Sequence, residues 1–363
     1  MKRKVISILL AATMAMSLTV CASAAEETET EAATEAATEA ATEAGSEAEG
    51  ETEATSGKAA EDITVAGVVF QEDQFMRLMQ KGYEAAAEDY GVNLMTSNTN
   101  NDQAKEADLI NTYVTQGIDG IAIAPLNETS SMQALETAYD AGLEIAVGNT
   151  KLADAPFVCG GYTSDNYNLG ELTGQKAKEF IENELGGEAR VAIIQFKSQL
   201  PDQSEARTNG FLDQIKDMPG VEIVADQDAW LQDDAVQVVS DILTANEADG
   251  GVDIIWAAND GGTIGATMAV KNAGKAGETF VFGTDAAEQQ AAFLKSDDNI
   301  LQCVTGQDPF TIGYNTMEVL IKTIMGEKGE YGKEVIVPGV VLSRDDVDSI
   351  TAFEEDLAEK MGN

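Results

Sequence analysis

Arg207, Asn149, Asn259, Asp285 and Gln307 supply a rigid guanidinium fork, three amides and a carboxylate, and Phe75 and Trp230 add flat aromatic rings. These are the groups that a neutral polyhydroxylated molecule requires. Its hydroxyls both donate and accept hydrogen bonds, and its C–H faces pack on rings. Position makes them a set. Each stands near a point where a strand-like apolar run hands over to a helix, most plainly where Ile254-Ile255-Trp256-Ala257-Ala258 runs into Asn259-Asp260-Gly261-Gly262. In an open parallel α/β sheet the C-terminal strand ends face one crevice, so residues distant in sequence converge there. Asp73, Gln74, Met76 and Asn127 are supplementary candidates for the same crevice. Each residue taken singly has a structural alternative: Arg207 as a helix cap, Trp230 as core, Asp285 as an N-cap.

Catalytic chemistry finds little support. The chain has no histidine, which removes the commonest general base and the commonest neutral metal ligand. No Gly-x-Ser-x-Gly elbow, phosphate loop or dinucleotide glycine pattern is present. Asp226-Gln227-Asp228 hints at a calcium loop, but Leu231 and Gln237 stand where it needs glycine and an acid. A two-carboxylate glycosidase has no fixed spacing and stays open as a secreted-enzyme alternative. The reading adopted is a binding protein with no cofactor and no metal.

The elements that must position these side chains alternate throughout. Strands begin at Ile63, Val92, Ile118 and Leu143, with helices over 75–90, 103–116 and 129–141 between and after them. The alternation restarts with a helix over 168–184, a strand over 191–194, a helix over 205–216 and a strand over 221–224. A helix over 233–245, a strand over 253–258, a helix over 263–273 and a strand over 279–283 follow. This pattern predicts an α/β fold of two similar doubly wound parallel-sheet lobes joined by three hinge strands, with the ligand cleft between them. The expected lobes are 62–163 with 307–338, and 164–306 with 339–363. Crossovers are expected at Cys159 to Tyr162, near Gly306 and near Gly339.

Length and composition agree: 363 residues, 44% hydrophobic, are enough for two packed cores. The net charge of −42 belongs mostly to the body and opposes a nucleic-acid partner. Met1-Lys2-Arg3-Lys4 and the apolar run from Val5 to Val20 read as an export signal over 1–24, with cleavage after Ala24. Leu18-Thr19-Val20-Cys21 also resembles a lipoprotein box, with a large Val before Cys21, so a lipid anchor there stays open. Residues 25–61 repeat Glu-Ala-Ala-Thr; as a helix they would stack Glu31, Glu35, Glu39 and Glu43, so an extended acidic linker is expected. Cys159 and Cys303 lie in strand-like stretches and read as buried, inert thiols.

At these residues the chain resembles the periplasmic sugar-binding proteins of the ribose/galactose type, substrate-binding components of ABC transporters. Ser204-Glu205-Ala206-Arg207-Thr208-Asn209-Gly210-Phe211 is similar to that family's Ser-x-x-Arg-x-x-Gly-Phe segment, and Ala257-Ala258-Asn259-Asp260 to its Asn-Asp strand end. Val281-Phe282-Gly283-Thr284-Asp285 is similar to its Gly-x-Asp segment, and Gly306-Gln307-Asp308-Pro309 to its hinge glutamine. Trp230, Phe75 and Met76 stand where the family places aromatic walls. The chain departs from the pattern at Ala124-Pro125 and at Gly148-Asn149, where ribose receptors carry stronger first-lobe contacts. The resemblance implies a monomeric, exported receptor that closes on a small neutral carbohydrate and is recognised by a membrane permease. A chemotaxis or quorum-signalling receptor is the alternative.

Overall fold

A computed structural model describes residues 57–362. The expected export signal and most of the Glu-rich segment lie outside the described residues. The Lys58 ammonium sits 2.7 Å from the Asp119 carboxylate, and a 3₁₀ turn spans Ala60–Asp62. The linker expected to run through residue 61 therefore ends earlier, held by this ion pair and by the fully buried Ile63.

The first series is β1 (Thr64–Val69), α1 (Gln74–Tyr90), β2 (Asn93–Asn98), α2 (Gln103–Gln116), β3 (Gly120–Ile123), α3 (Met132–Asp140), β4 (Glu144–Gly148) and β5 (Val158–Thr163). The second is α4 (Asn166–Asn183), β6 (Glu188–Gln195), α5 (Pro201–Ile215), β7 (Gly220–Asp228), α6 (Gln232–Asn246), β8 (Ile254–Ala257), α7 (Asp260–Asn272), β9 (Phe280–Thr284), α8 (Glu288–Leu294) and β10 (Leu301–Gly306). The chain closes with α9 (Pro309–Ile324), β11 (Glu334–Ile336), β12 (Val340–Ser343) and α10 (Val347–Met361).

Two six-stranded sheets result, ordered β11-β5-β4-β3-β1-β2 and β12-β10-β9-β8-β6-β7. Every pairing is parallel except the antiparallel β10–β12 pair. β3, β8 and β9 are buried along their whole length because helices cover both faces, which is why they read as unbroken apolar runs rather than alternating ones. The edge strands β2 and β7 are largely half-buried or exposed and carry polar residues.

Three segments cross between the sheets, after Thr163, after Gly306 and after Ile336. α9 returns to pack on α1, β4 and β5, while α4 packs on α5, β9 and β10. The first crossing differs from expectation. Cys159 to Tyr162 lies inside β5, where it is hydrogen-bonded to both β4 and β11, so the passage falls after that strand.

Helix starts also move toward the site. α5 begins at Pro201 instead of Glu205, because proline at the first helical position needs no N–H partner. α7 begins at Asp260 instead of Thr263, because the Asn259 side chain accepts the Gly262 N–H and caps it. Cys159 and Cys303 are free and buried, and burial pushes both thiols up to about 12. Among the described residues no helix is long and apolar enough to cross a membrane.

Candidate functional site: a polar cleft between the two sheets

The segment Ser204 to Phe211 explains how one guanidinium comes to sit between the lobes. Ser204 Oγ accepts the Phe196 N–H at 3.1 Å, fixing the end of β6 against α5. A Cβ on Gly210 would fall 2.0 Å from the Tyr167 carbonyl, and one on Gly170 would fall 1.8 Å from the Arg207 carbonyl, so these glycines let α4 and α5 pack backbone to backbone. Phe211 stacks on Trp256 with ring centroids 4.7 Å apart, tying α5 to β8. Arg207 is thereby held 2% exposed in the middle of α5. It does not stand at a strand end, as the sequence reading had placed it.

Its fork is occupied in an orderly way. Nε donates to Asn166 Oδ1 at 2.8 Å and one terminal nitrogen donates to the Ala258 carbonyl at 2.8 Å. The same nitrogen lies 3.3 Å from both Asp285 oxygens, and the guanidinium carbon is 5.0 Å from the centre of the Phe196 ring. Asp285 also accepts hydrogen bonds from the Gln307 amide and, at 3.2 Å, from the Asp260 N–H. It is not a helix N-cap; Ala287 holds that position for α8.

Asp285 and Asn149 follow β9 and β4, and both adopt left-handed backbone, with φ of 66° and 65°. Asn and Asp are the non-glycine residues that tolerate this region best, and strained positions of this kind concentrate at sites where a side chain must be aimed. Asn149 is 5% exposed and lines the cleft, and its side-chain amide makes no hydrogen bond to any described residue.

The opposite wall comes from the start of α1. Asp73 caps the helix by accepting the Met76 N–H at 2.7 Å, which fixes Phe75 and Met76 at the cavity edge. The inner space bounded by Asp73, Phe75, Asn149, Arg207, Asp285 and Gln307 is about 40 Å³. It adjoins an outer cavity of about 930 Å³, and Gln71, Asp73, Asn259 and Asp260 line both. Trp230 and Gln74 line the outer cavity only. Asn259 reaches both spaces, although its amide is engaged: besides capping α7 it donates to the Trp230 carbonyl at 2.9 Å, which orients the tryptophan.

Asn127 is the candidate that the structure leaves out. Its Oδ1 accepts the N–H groups of Thr129 and Ser130 at 3.0 and 2.8 Å, holding the turn before α3, and it lines neither space. Among the hydrogen bonds that cross from one lobe to the other, Lys360 Nζ donates to Asp308 at 3.1 Å, and others stand beside the cleft. Gln203 donates to the Asn149 carbonyl at 2.8 Å, and the Glu288 N–H donates to Gln74 Oε1 at 2.8 Å.

The cleft crowds carboxylates. Burial pushes Asp260 up to about 8, aided by the charges of Asp73 and Asp285. Burial also raises Asp73 to about 6, with the Met76 N–H holding it down and the Asp285 charge adding to the rise. Glu128, in the loop after β3, is raised to about 7 by burial and by Asp202 at the start of α5. Asp260, Gln203, Gln199 and Phe196 were absent from the sequence candidates. Applying the strand-end rule to β6 would have found Phe196, and starting α5 at Pro201 would have found Gln203.

Two parallel sheets, three crossings and a buried polar cleft between them define a two-lobed solute-binding protein. The periplasmic binding protein domain matches residues 63–328, and the chain belongs to that family. It is a binding protein and not an enzyme. The chain is 26% identical over 287 residues to the ABC transporter periplasmic-binding protein YphF of Escherichia coli K12, covering 76% of this chain and 86% of that one. It is 29% identical over 257 residues to the D-allose-binding periplasmic protein of the same organism, covering 67% and 78%. A periplasmic solute-binding protein of Actinobacillus succinogenes 130z, crystallised with D-allose, superposes with a TM-score of 0.69 at 26% identity over 79% of this chain and 99% of that one.

Proposed function

We propose that this protein captures one small polyhydroxylated carbohydrate by closing its lobes and presents the closed form to the permease of an ABC transporter. The observation that carries the proposal is the continuous array Gln307–Asp285–Arg207, facing Asn149 and Phe75 across a space bounded by both sheets. Arg207, Asp285, Gln307, Asn149 and Phe75 make the inner contacts in this reading. Asn259, Asp73 and Met76 shape them, and Trp230 and Gln74 meet the ligand from the outer cavity. The lobes are 62–163 with 307–338 and 164–306 with 339–363, in a monomeric receptor exported by its N-terminal signal. A ligand touching both lobes shifts the population toward closure, and the permease reads that shift. The relative named for D-allose supports a hexose-sized guest.

The test is a thermal-shift screen of the ligand-free protein over pentoses, hexoses, polyols and furanosyl compounds. A ligand that binds only the folded state raises its melting temperature. At least one member is expected to do so, with the shift lost in Asp285→Ala. Stabilisation by none of them would overturn the reading.

A further inference from the structure

The charges around this cleft do not balance. The inner space is lined by Asp73, Asp260 and Asp285 against the single cation Arg207, and Arg207 is already paired with Asp285. Two carboxylates remain. The outer cavity repeats the imbalance, with Glu72, Asp73, Asp260, Glu288 and Glu354 against Arg77 alone. The excess falls at the neck where the two spaces meet, since Asp73 and Asp260 line both.

The hydrogen bonds point the same way. Asp260 Oδ1 accepts from the Gly261 N–H at 2.7 Å, while Oδ2 has no hydrogen-bond partner among the described residues. Asp73 reaches the neck from the other lobe as the N-cap of α1, its oxygens accepting from the Met76 N–H and the Gln71 amide. Beside them the buried Asn149 amide faces the cavity unpartnered, so a guest in this place is also held by an amide suited to a hydroxyl. Among the described residues no three acidic or thiol groups converge at metal-ligating distances. The carboxylates line a space of molecular size instead of meeting at a point.

We propose that the guest is an amine-bearing polyol, an amino sugar or aminocyclitol, whose ammonium group sits at the neck between Asp73 and Asp260 while its hydroxyls meet Asn149 and the Arg207–Asp285 pair. This rests on the carbohydrate-binding reading above and narrows it. An ammonium offers three donors and no acceptor, which suits an acceptor-rich neck, and its charge offsets one of the two that the carboxylates leave uncompensated. Asp73 and Asp260 then become the specificity-determining residues. A neutral sugar lacks that compensation, so its closed complex must take up a proton instead.

Those two routes have opposite pH dependence, which makes them separable. The groups facing Asp260 and Asp73 are Asp285, Arg207, Arg77 and Glu72. An ammonium ligand needs both carboxylates ionised, so its affinity falls as pH drops from about 7.5 toward about 5. A neutral ligand bound with proton uptake gains affinity over the same range.

The experiment is calorimetric titration of matched pairs: a 2-amino-2-deoxyhexose, its N-acetyl derivative and the parent hexose, and an aminocyclitol with its parent cyclitol. The amine is expected to bind about tenfold more tightly than the parent at neutral pH and to weaken on acidification. N-acetylation, which removes the charge, should abolish the advantage. Asp260→Asn, or Asp73→Asn should the first fail to fold, should bring the ratio of amine to parent affinity to about one, a ratio that a general loss of binding would leave unchanged. If the parents bind as tightly as the amines and tighten on acidification, the inference is overturned and the carbohydrate reading stands. If no member of any pair binds, both fall.

Discussion

Replacing Asp285 by asparagine tests whether the Arg207–Asp285 pair organises the second-lobe wall. Asparagine tolerates the left-handed backbone at this position and preserves shape, so charge is what changes. The pair is separated by 3.3 Å, with side chains only 3% and 11% exposed. Exposed ion pairs contribute at most about 1 kcal/mol. A buried hydrogen bond to a charged group contributes about 1.5 to 3 kcal/mol, and the low exposure places this pair in the second class. Arg207 keeps Asn166, the Ala258 carbonyl and the Phe196 ring, so the lower half of that range applies, about 2 kcal/mol. The assay is urea unfolding of the ligand-free parent, Asp285→Asn, Arg207→Met and the double variant. A coupling energy near 2 kcal/mol is expected from the cycle. Affinity for the ligand found in the screen should fall roughly tenfold or more in Asp285→Asn. Additivity within about 0.5 kcal/mol would refute the reasoning, because the guanidinium would then be as well satisfied without its carboxylate.

Gln203→Ala removes the lobe-spanning bond to the Asn149 carbonyl and should weaken ligand binding by about 0.5 to 1.5 kcal/mol, roughly two- to tenfold; small-angle scattering should show a more open ligand-free ensemble. Glu128 is raised to about 7 with Asp202 of the other lobe beside it, so this approach of the two lobes is favoured below that pH and opposed as pH rises through it. Glu128→Gln should therefore tighten ligand binding at about pH 8, by up to roughly fivefold, and have no effect near pH 5, as calorimetry at the two pH values would read. Cys159 and Cys303 should resist alkylation in the native protein at neutral pH and both react in urea, as mass spectrometry would count; rapid native labelling of either would contradict their burial.

The order of elements was legible because it rests on local physics. The unbroken apolar run at Ile254 to Ala258 can only be a strand covered on both faces, and the polar residues after it mark the strand end that faces the cleft. Where the reading erred, the signal was two-sided. Gln199 to Gln203 is too polar to read as helix by apolar periodicity, so the first turn of α5 was missed and Gln203 with it. The two glycines in Cys159 to Tyr162 looked like a flexible passage. Gly160 instead lets the flat face of β5 receive Val319 of α9, where a Cβ would lie 2.8 Å from the valine methyls.

The site divides along a different line. Residues fixed by their own lobe could be proposed from sequence, because Arg207 and Asp285 are placed by the ends of β8 and β9 and by one helix packed on the same sheet. Residues whose meaning depends on the other lobe could not. Asp260 looks like an ordinary first-turn acid of α7, where a carboxylate is favoured by the helix dipole whatever else it does. Only when α1 brings Asp73 across the cleft does it become half of a pair of like charges, raised by burial and by that neighbour. The same holds for Glu128, which is unremarked in its loop until α5 sets Asp202 beside it. In the proposed function, recognition of hydroxyls is written within each lobe, whereas the electrostatic cost of bringing the lobes together, and with it any preference for a charged guest, is a property of the two lobes together.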